Sequence, residues 1–349
     1  MKLRSLHLLV ALCWCATSLS SQAVADYFAT ANDGFIYRFK RDGNTFQQSQ
    51  FVDLGPGQLS GLVYSPSENV MYASKLSTAQ IFRIDMVGGL QSISVGDVSG
   101  NPAFPSVGIA PSGLAIDSTG KLHVAAFADS NIATGQIYGA YQLNGPSFLE
   151  SALTPVASTF TGPMPMFNGG IGFLADDSIV VSAAVKEVGA AGLIFGGANA
   201  QVAIAPNGQS YFVGSTQLDT ADTNSELSNI YRFETIGATP TAISISDALL
   251  GGATYLGTPS NPAGVAFDGD GNLIVTAMGS SPFADPKGAL FLFDPNNFSD
   301  PLASWSGELA LSNVIYVPTA VPEPSALLLC AFGGLGGAVR RWRIKGKNE

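Results

Sequence analysis

The chain of 349 residues carries 40 glycines and 21 phenylalanines with only 12% charged residues, a composition that favours a turn-rich β structure over a long helical bundle. Seven of its sixteen basic residues sit near the two ends, so residues 26–339 hold 9 basic against 25 acidic residues, a balance of −16. A body this acidic repels phosphate backbones, which argues against nucleic acid as a partner and leaves solubility outside the cell as the plain reading.

Residues 1–25 do not belong to that body. Lys2 and Arg4 precede an apolar run, Leu6–Ala16, and Ala23-Val24-Ala25 is a small-residue cleavage pattern. This is the order of a secretory signal peptide, cut by signal peptidase before Asp26. Neither Cys13 nor Cys15 follows the small residue that a lipoprotein site needs. Both leave with the signal peptide, and Cys330 lies in the terminal apolar run, so the body has no disulfide, no thiolate metal site and no cysteine nucleophile.

From residue 26 to residue 317 the chain repeats itself. Gly61–Ser65, Gly113–Asp117, Gly170–Leu174, Gln201–Ala205 and Gly264–Asp268 share one apolar pattern. Each is followed by a four-residue turn, among them Pro-Ser-Glu-Asn and Gly-Asp-Gly-Asn, and by a second apolar run starting at Val70, Leu122, Ile179, Ser210 or Leu273. The pattern predicts a hairpin at the start of every unit. Third strands are predicted at Gln80–Asp85, Gln136–Tyr138, Leu193–Phe195, Asn229–Glu234 and Ala289–Asp294, and a sixth copy, Gly34–Phe39, stands near the start without a first strand. Asn313–Val317 fits the column that holds Tyr64 and can supply the missing piece. Fourth strands are expected at Phe46–Leu54, Leu90–Val98, Phe148–Ala157, Thr241–Leu249 and Leu302–Leu309, while the unit from Gly170 has almost no room for one.

Four-stranded units repeating every ~30 to 60 residues predict an all-β fold: a six-bladed β-propeller with a split closing blade. Closing the ring by pairing the two chain ends leaves no open sheet seam. The runs GLAIDSTGKLHVAA (113–126) and GVAFDGDGNLIVTA (264–277) resemble blades of the NHL and gluconolactonase-like class. The resemblance covers most of 27–317 and implies architecture rather than chemistry. Members of the gluconolactonase-like class hold a divalent metal at the channel mouth, using a glutamate at the start of the chain with later Asn and Asp residues. Here the mature chain opens with Asp26 and Tyr27, and no first-strand acid matches that glutamate. No cofactor is therefore expected, with a divalent cation as the alternative.

Catalytic signals within the body are thin. Its single histidine, His123, sits between Leu122 and Val124 in a predicted strand, where a hydrogen-bonded structural histidine is the better reading. Asp129 is only six residues away, but that spacing fixes no Ser–His–Asp geometry. Asp268-Gly-Asp270-Gly-Asn272 copies the opening of a calcium loop, yet Leu273 and Gly279 stand where glycine and glutamate belong, which favours a plain hairpin turn. Gly333–Gly337 follows no strand and precedes no Lys-Ser or Lys-Thr, so it is no phosphate loop.

Strand alternation puts the tight turns on one end of the ring and the long segments 97–111, 128–134, 159–169, 215–228, 251–262 and 278–287 on the other. Long loops gathered on a rigid scaffold mark the binding face. Asp97, Asp129, Asp219, Asp222, Glu226 and Asp285 in those loops could gather a cation, although a solvated acidic face is the simpler reading.

The last segment is of a different kind. After a linker, residues 318–325, that contains Val321-Pro322-Glu323-Pro324, residues 326–339 are uncharged and mostly apolar or small, and Arg340, Arg341 and Arg343 follow. With its flanking residues the run just reaches bilayer length, and the basic tail holds its end in the cytoplasm. The three parts in this order resemble the PEP-CTERM sorting domain of Gram-negative bacteria that make exopolysaccharide. The resemblance implies transient inner-membrane retention of 326–349 as a transmembrane helix, and recognition by an exosortase with cleavage near Pro322-Glu323-Pro324. Release or attachment at the cell surface follows. Pro322 and Pro324 keep such a site extended, and a plain tail anchor is the alternative. The expectation is thus an exported, non-enzymatic propeller that binds exopolysaccharide or a surface protein, or alternatively a metal-dependent, lactonase-like hydrolase.

Overall fold

In the computed structural model the described residues are 26–57, 59–75, 80–86, 93–97, 109–128, 136–143, 153–155, 160–162, 170–181, 186–187, 201–208, 211–214, 229–234, 241–244, 261–278 and 287–318. All but Pro318 lie in one compact unit, Ala25–Val317. The signal peptide, the PEP segment and the C-terminal apolar run lie outside the described residues.

The first three strands, β1 (Asp26–Ala31), β2 (Phe35–Asp42) and β3 (Thr45–Asp53), form an antiparallel meander. The other edge of β1 is taken by the last strand, β24 (Leu311–Val317), so the two ends of the compact unit share one sheet. A second sheet contains β4 (Leu59–Ser65), β5 (Val70–Lys75), β6 (Gln80–Asp85) and β7 (Ile93–Asp97). A third contains β8 (Ile109–Ile116), β9 (Leu122–Ala128) and β10 (Gln136–Leu143), with β11 (Leu153–Pro155) and β12 (Phe160–Gly162) side by side on β10. The fourth is short: β13 (Ile171–Phe173), β14 (Ile179–Val181) and β15 (Lys186–Glu187). The fifth contains β16 (Val202–Ile204), β17 (Tyr211–Gly214), β18 (Asn229–Phe233) and β19 (Thr241–Ser244). The sixth contains β20 (Asn261–Phe267), β21 (Leu273–Met278), β22 (Gly288–Phe293) and β23 (Ala303–Gly307).

Among the described residues the strands therefore fall into six antiparallel sheets, the outer strands β23 and β3 meeting through one parallel pair, Ser304 with Thr45. The first strands pack in a closed order: β24 on β4, β4 on β8, β8 on β13, β13 on β16, β16 on β20, and β20 back on β24. This ring of sheets is a β-propeller.

Alternation along each strand explains the packing. Tyr27, Ala29 and Ala31 of β1 face the sixth sheet, joining Ile274, Leu290 and Leu292. Phe28, between them, faces the second sheet with Leu62, Met71 and Ile84. Val265, Val275, Phe291 and Phe293 meet Ala203 and Ile230 of the fifth sheet, and Tyr231 and Phe233 meet Leu174 and Val180 of the fourth. The sixth sheet is covered on both faces, by the fifth and by the first, so β21 (LIVTAM) and β22 (GALFLF) are buried at every position. That is why their sequences run almost continuously apolar.

The structure departs from the sequence expectation at three places. The first strands of the second, third and sixth sheets start earlier than the glycines at 61, 113 and 264, because each carries a register shift beside that glycine. Such a bulge inserts an extra residue before the regular ladder resumes. In the fourth sheet the described third strand is Lys186–Glu187, whereas the expected Leu193–Phe195 lies outside the described residues. The fourth strand of the third sheet is split into β11 and β12, which pair with opposite ends of β10.

Candidate functional site

The two ends of the ring differ in construction. At the tight-turn end, successive hairpins touch. The Ser118 N–H and hydroxyl donate to the Asp177 carboxylate at 3.3 and 2.6 Å, tying the third sheet to the fourth. The Ala175 N–H donates to the Gly208 carbonyl at 2.9 Å, tying the fourth to the fifth. Where the sixth sheet meets the first, a Cβ on Gly269 would lie 2.8 Å from the Tyr316 hydroxyl. Gly271 lies against Pro206 and Gly120 against Ser67. The hairpins thus form a collar around this end.

The carboxylates of Asp268 and Asp117 in the collar are occupied within their own hairpins. Asp268 Oδ1 accepts from the N–H groups of Asp270 and Asn272 at 2.9 and 2.8 Å, and Oδ2 accepts from Asn272 Nδ2 at 2.9 Å and from the Tyr27 hydroxyl at 3.4 Å. The Asp268–Asn272 stretch is therefore a hairpin turn, as its departures from the calcium-loop pattern indicate. Burial, and then the charge of Asp268, push the Tyr27 hydroxyl far above the usual tyrosine range.

His123 belongs to the same end. Its Nε2–H donates to Asp117 Oδ2 at 2.8 Å, and its ring stands edge-on to Phe173 with centroids 4.7 Å apart. Asp117 Oδ1 also accepts from the Thr119 hydroxyl and from the N–H groups of Thr119 and Lys121. Burial alone would raise the Asp117 carboxyl, but the donations from Thr119, His123 and Lys121 outweigh it and hold it at about 2. Among the described residues His123 Nδ1 is buried without a hydrogen-bond partner. The partner of His123 is thus Asp117, and Asp129 lies outside the described residues.

At the opposite end, where the first strands begin, the bulges carry a layer of buried hydroxyl and amide groups. Thr30 Oγ1 lies 2.6 Å from Ser312 Oγ and accepts the Asn313 N–H at 2.9 Å. Ser312 also donates to the Leu59 carbonyl at 3.3 Å, and the Asn313 amide to the Ser60 carbonyl. Ser60 Oγ lies 3.0 Å from Ser74 Oγ and donates to the Pro111 carbonyl at 3.0 Å. Thr276 accepts the Gly264 N–H at 2.8 Å and donates to the Ser312 carbonyl. These bonds run from the sixth sheet through the first and second to the third. The Lys75 ammonium, in a residue only 5% exposed, donates to the Leu54 and Gly55 carbonyls at 2.8 and 3.1 Å and pins the connection entering β4.

This layer joins sheets through hydrogen bonds between hydroxyl, amide and main-chain groups. His123 and Asp117 stand at the other end of the ring from these serines. Among the described residues no three His, Cys, Asp or Glu side chains stand together as a metal site. The loop acids Asp129, Asp219, Asp222, Glu226 and Asp285 lie outside the described residues, and Asp97 ends β7. So do Ala23, Ala25, Val321, Pro322, Glu323, Pro324, Arg340, Arg341 and Arg343. Asp26 opens β1, buried, with its carboxylate on the Arg38 guanidinium.

Sequence reasoning missed the polar layer. Its signal was a column: where four units carry Gly61, Gly113, Gly170 and Gly264, the other two carry Gln201 and Asn313. Both amides bond across sheets.

No protein-family model matches the chain, and no curated protein matches its sequence. Solved structures do match in shape. A chain of the nidogen–laminin complex aligns at TM-score 0.52 and 13% identity, over 85% of this chain and 100% of the other. A protein of unknown function from Bacteroides caccae aligns at 0.55 and 10%, over 84% and 99%. The periplasmic gluconolactonase of Pseudomonas aeruginosa aligns at 0.48 and 11%, over 85% and 100%. The feature shared with the first two is the propeller. Identities this low establish a fold and leave chemistry to the site itself.

Proposed function

We propose that the chain is an exported, non-enzymatic binding protein. It is held briefly in the inner membrane by 326–349, cut by an exosortase near Pro322-Glu323-Pro324, and placed at the cell surface or in the extracellular matrix. There its propeller binds exopolysaccharide or a surface protein through the end that carries the long loops. The observation that carries the binding reading is the asymmetry of the ring. One end is laced by hairpin contacts, Ser118–Asp177 and Ala175–Gly208 among them, and the carboxylates of Asp117, Asp177 and Asp268 accept hydrogen bonds there. The other is where the strand order of the sequence sends the long connections, and its described residues carry a hydrogen-bonded hydroxyl and amide layer. Rigid support beneath variable loops is the arrangement that suits recognition. The sorting reading rests on the order of Val321-Pro322-Glu323-Pro324, the apolar run and the arginines.

The test is a glycan-array and metal analysis of the mature surface form. Saturable binding to an acidic or neutral polysaccharide without bound metal is expected. Stoichiometric calcium or zinc together with lactone hydrolysis would replace this reading with a metal-dependent, lactonase-like hydrolase.

A further inference from the structure

We propose that Gln201 is a clasp that shuts the ring a second time, reaching from the fifth sheet past the sixth to the first. The known closure is the β1–β24 ladder. β24 ends its sheet, so among the described residues its second edge has no strand partner, and it lies in the ring of first strands between β20 and β4. Val314 lies opposite Ala29 in the ladder. In an antiparallel ladder, alternate residues turn both main-chain polar groups away from the partner strand. The Gln201 carboxamide meets both of those groups: Oε1 accepts the Val314 N–H at 2.9 Å and Nε2 donates to the Val314 carbonyl at 2.7 Å.

The clasp skips a sheet. The Gln201 N–H reaches the Ala263 carbonyl of the neighbouring β20 at 3.5 Å, while its side chain continues to β24. Gly264 makes room for the close approach of the two strands, since a Cβ there would fall 2.2 Å from the Ser312 carbonyl oxygen. A glycine at 201, as in four of the other five repeats, would remove the partner that both the N–H and the carbonyl of Val314 have here. The carboxamide donates and accepts side by side without needing a proton from solution, as this edge requires. Gln201 therefore joins three consecutive sheets at the point where the ring is closed by chain ends rather than by a continuous connection.

The experiment compares wild type, Gln201→Met and Gln201→Glu in the full-length chain, reading amide hydrogen exchange at Val314 and the thermal midpoint. Methionine keeps the length and much of the volume but neither hydrogen bond. Exchange at Val314 should rise at least about tenfold in Gln201→Met, with Tm lower by about 4 °C for the loss of two hydrogen bonds. Glutamate keeps an acceptor for the Val314 N–H but sets a carboxylate oxygen against its carbonyl, so Val314 stays protected while Tm falls. If Gln201→Met keeps wild-type protection at Val314 and an unchanged Tm, Gln201 only fills space and the clasp is wrong. Should the methionine variant fail to fold, the glutamate variant decides: loss of Val314 protection there overturns the proposal.

Discussion

Asp26 stands opposite Val317 in the antiparallel ladder that joins β1 to β24, so the compact unit is closed by its own ends. A chain stopped after Ala310 would lose the buried side chains of Leu311, Val314, Ile315 and Val317. At roughly 1.5–3 kcal/mol each, the loss is comparable to the whole stability of an ordinary domain. It would also leave β1 as an open apolar edge. The truncated chain should show no cooperative melt and should elute as aggregate in size-exclusion chromatography, whereas a chain ending at residue 320 should melt cooperatively.

Gly264 is required by a neighbour rather than by its own backbone. A Cβ there would lie 2.2 Å from the Ser312 carbonyl oxygen and 3.0 Å from Asn313 Cα, both backbone atoms that cannot swing aside. Gly264→Ala should destabilise by about 2–4 kcal/mol in urea unfolding. Gly43, with φ near +61° and nothing within 4 Å of its Cβ position, is the comparison. Gly43→Ala should cost about 1 kcal/mol, from its left-handed backbone alone.

Asp117 makes stability depend on acid in a stated window. Its folded carboxyl titrates at about 2, below the usual unfolded value near ~3.9. A depressed carboxylate contributes stability that is fully present above the unfolded value and is lost as pH falls through the folded one. Asp117→Asn should therefore be less stable than wild type at pH 7, and the difference should shrink between about pH 4 and pH 2. Chemical unfolding at several pH values measures it. An equal difference at pH 7 and pH 2 would remove the carboxylate from the account.

Phe233 is fully buried between the fourth and fifth sheets, with Leu174 and Val180 across the interface. Phe233→Ala should cost about 3–5 kcal/mol through lost burial and the cavity left behind. Differential scanning calorimetry would show the drop in Tm.

The ring was legible in the sequence because its signals are local. Glycine, an apolar run and turn residues such as Ser118-Thr119-Gly120 recur in register, and Asn313–Val317 fits the column that lacks a strand at the start of the chain. The bulges were not legible, since an extra ladder residue such as Ser60 or Ala263 belongs to no particular residue type. Gln201 was visible only as a departure from the glycine column. Its partner Val314 lies 113 residues away, and no spacing rule links them. His123 showed the reverse case. A hydrogen-bonded strand histidine was expected, and Asp117 at the turn, six residues earlier, supplies the bond.

The most direct test of the account as a whole is the intact mass of the form found at the cell surface or in the medium. A species starting at Asp26 and ending near Pro322-Glu323-Pro324 is expected, with both terminal segments removed. A surface form that retains Trp342 would contradict exosortase processing and make the C-terminal segment a permanent anchor.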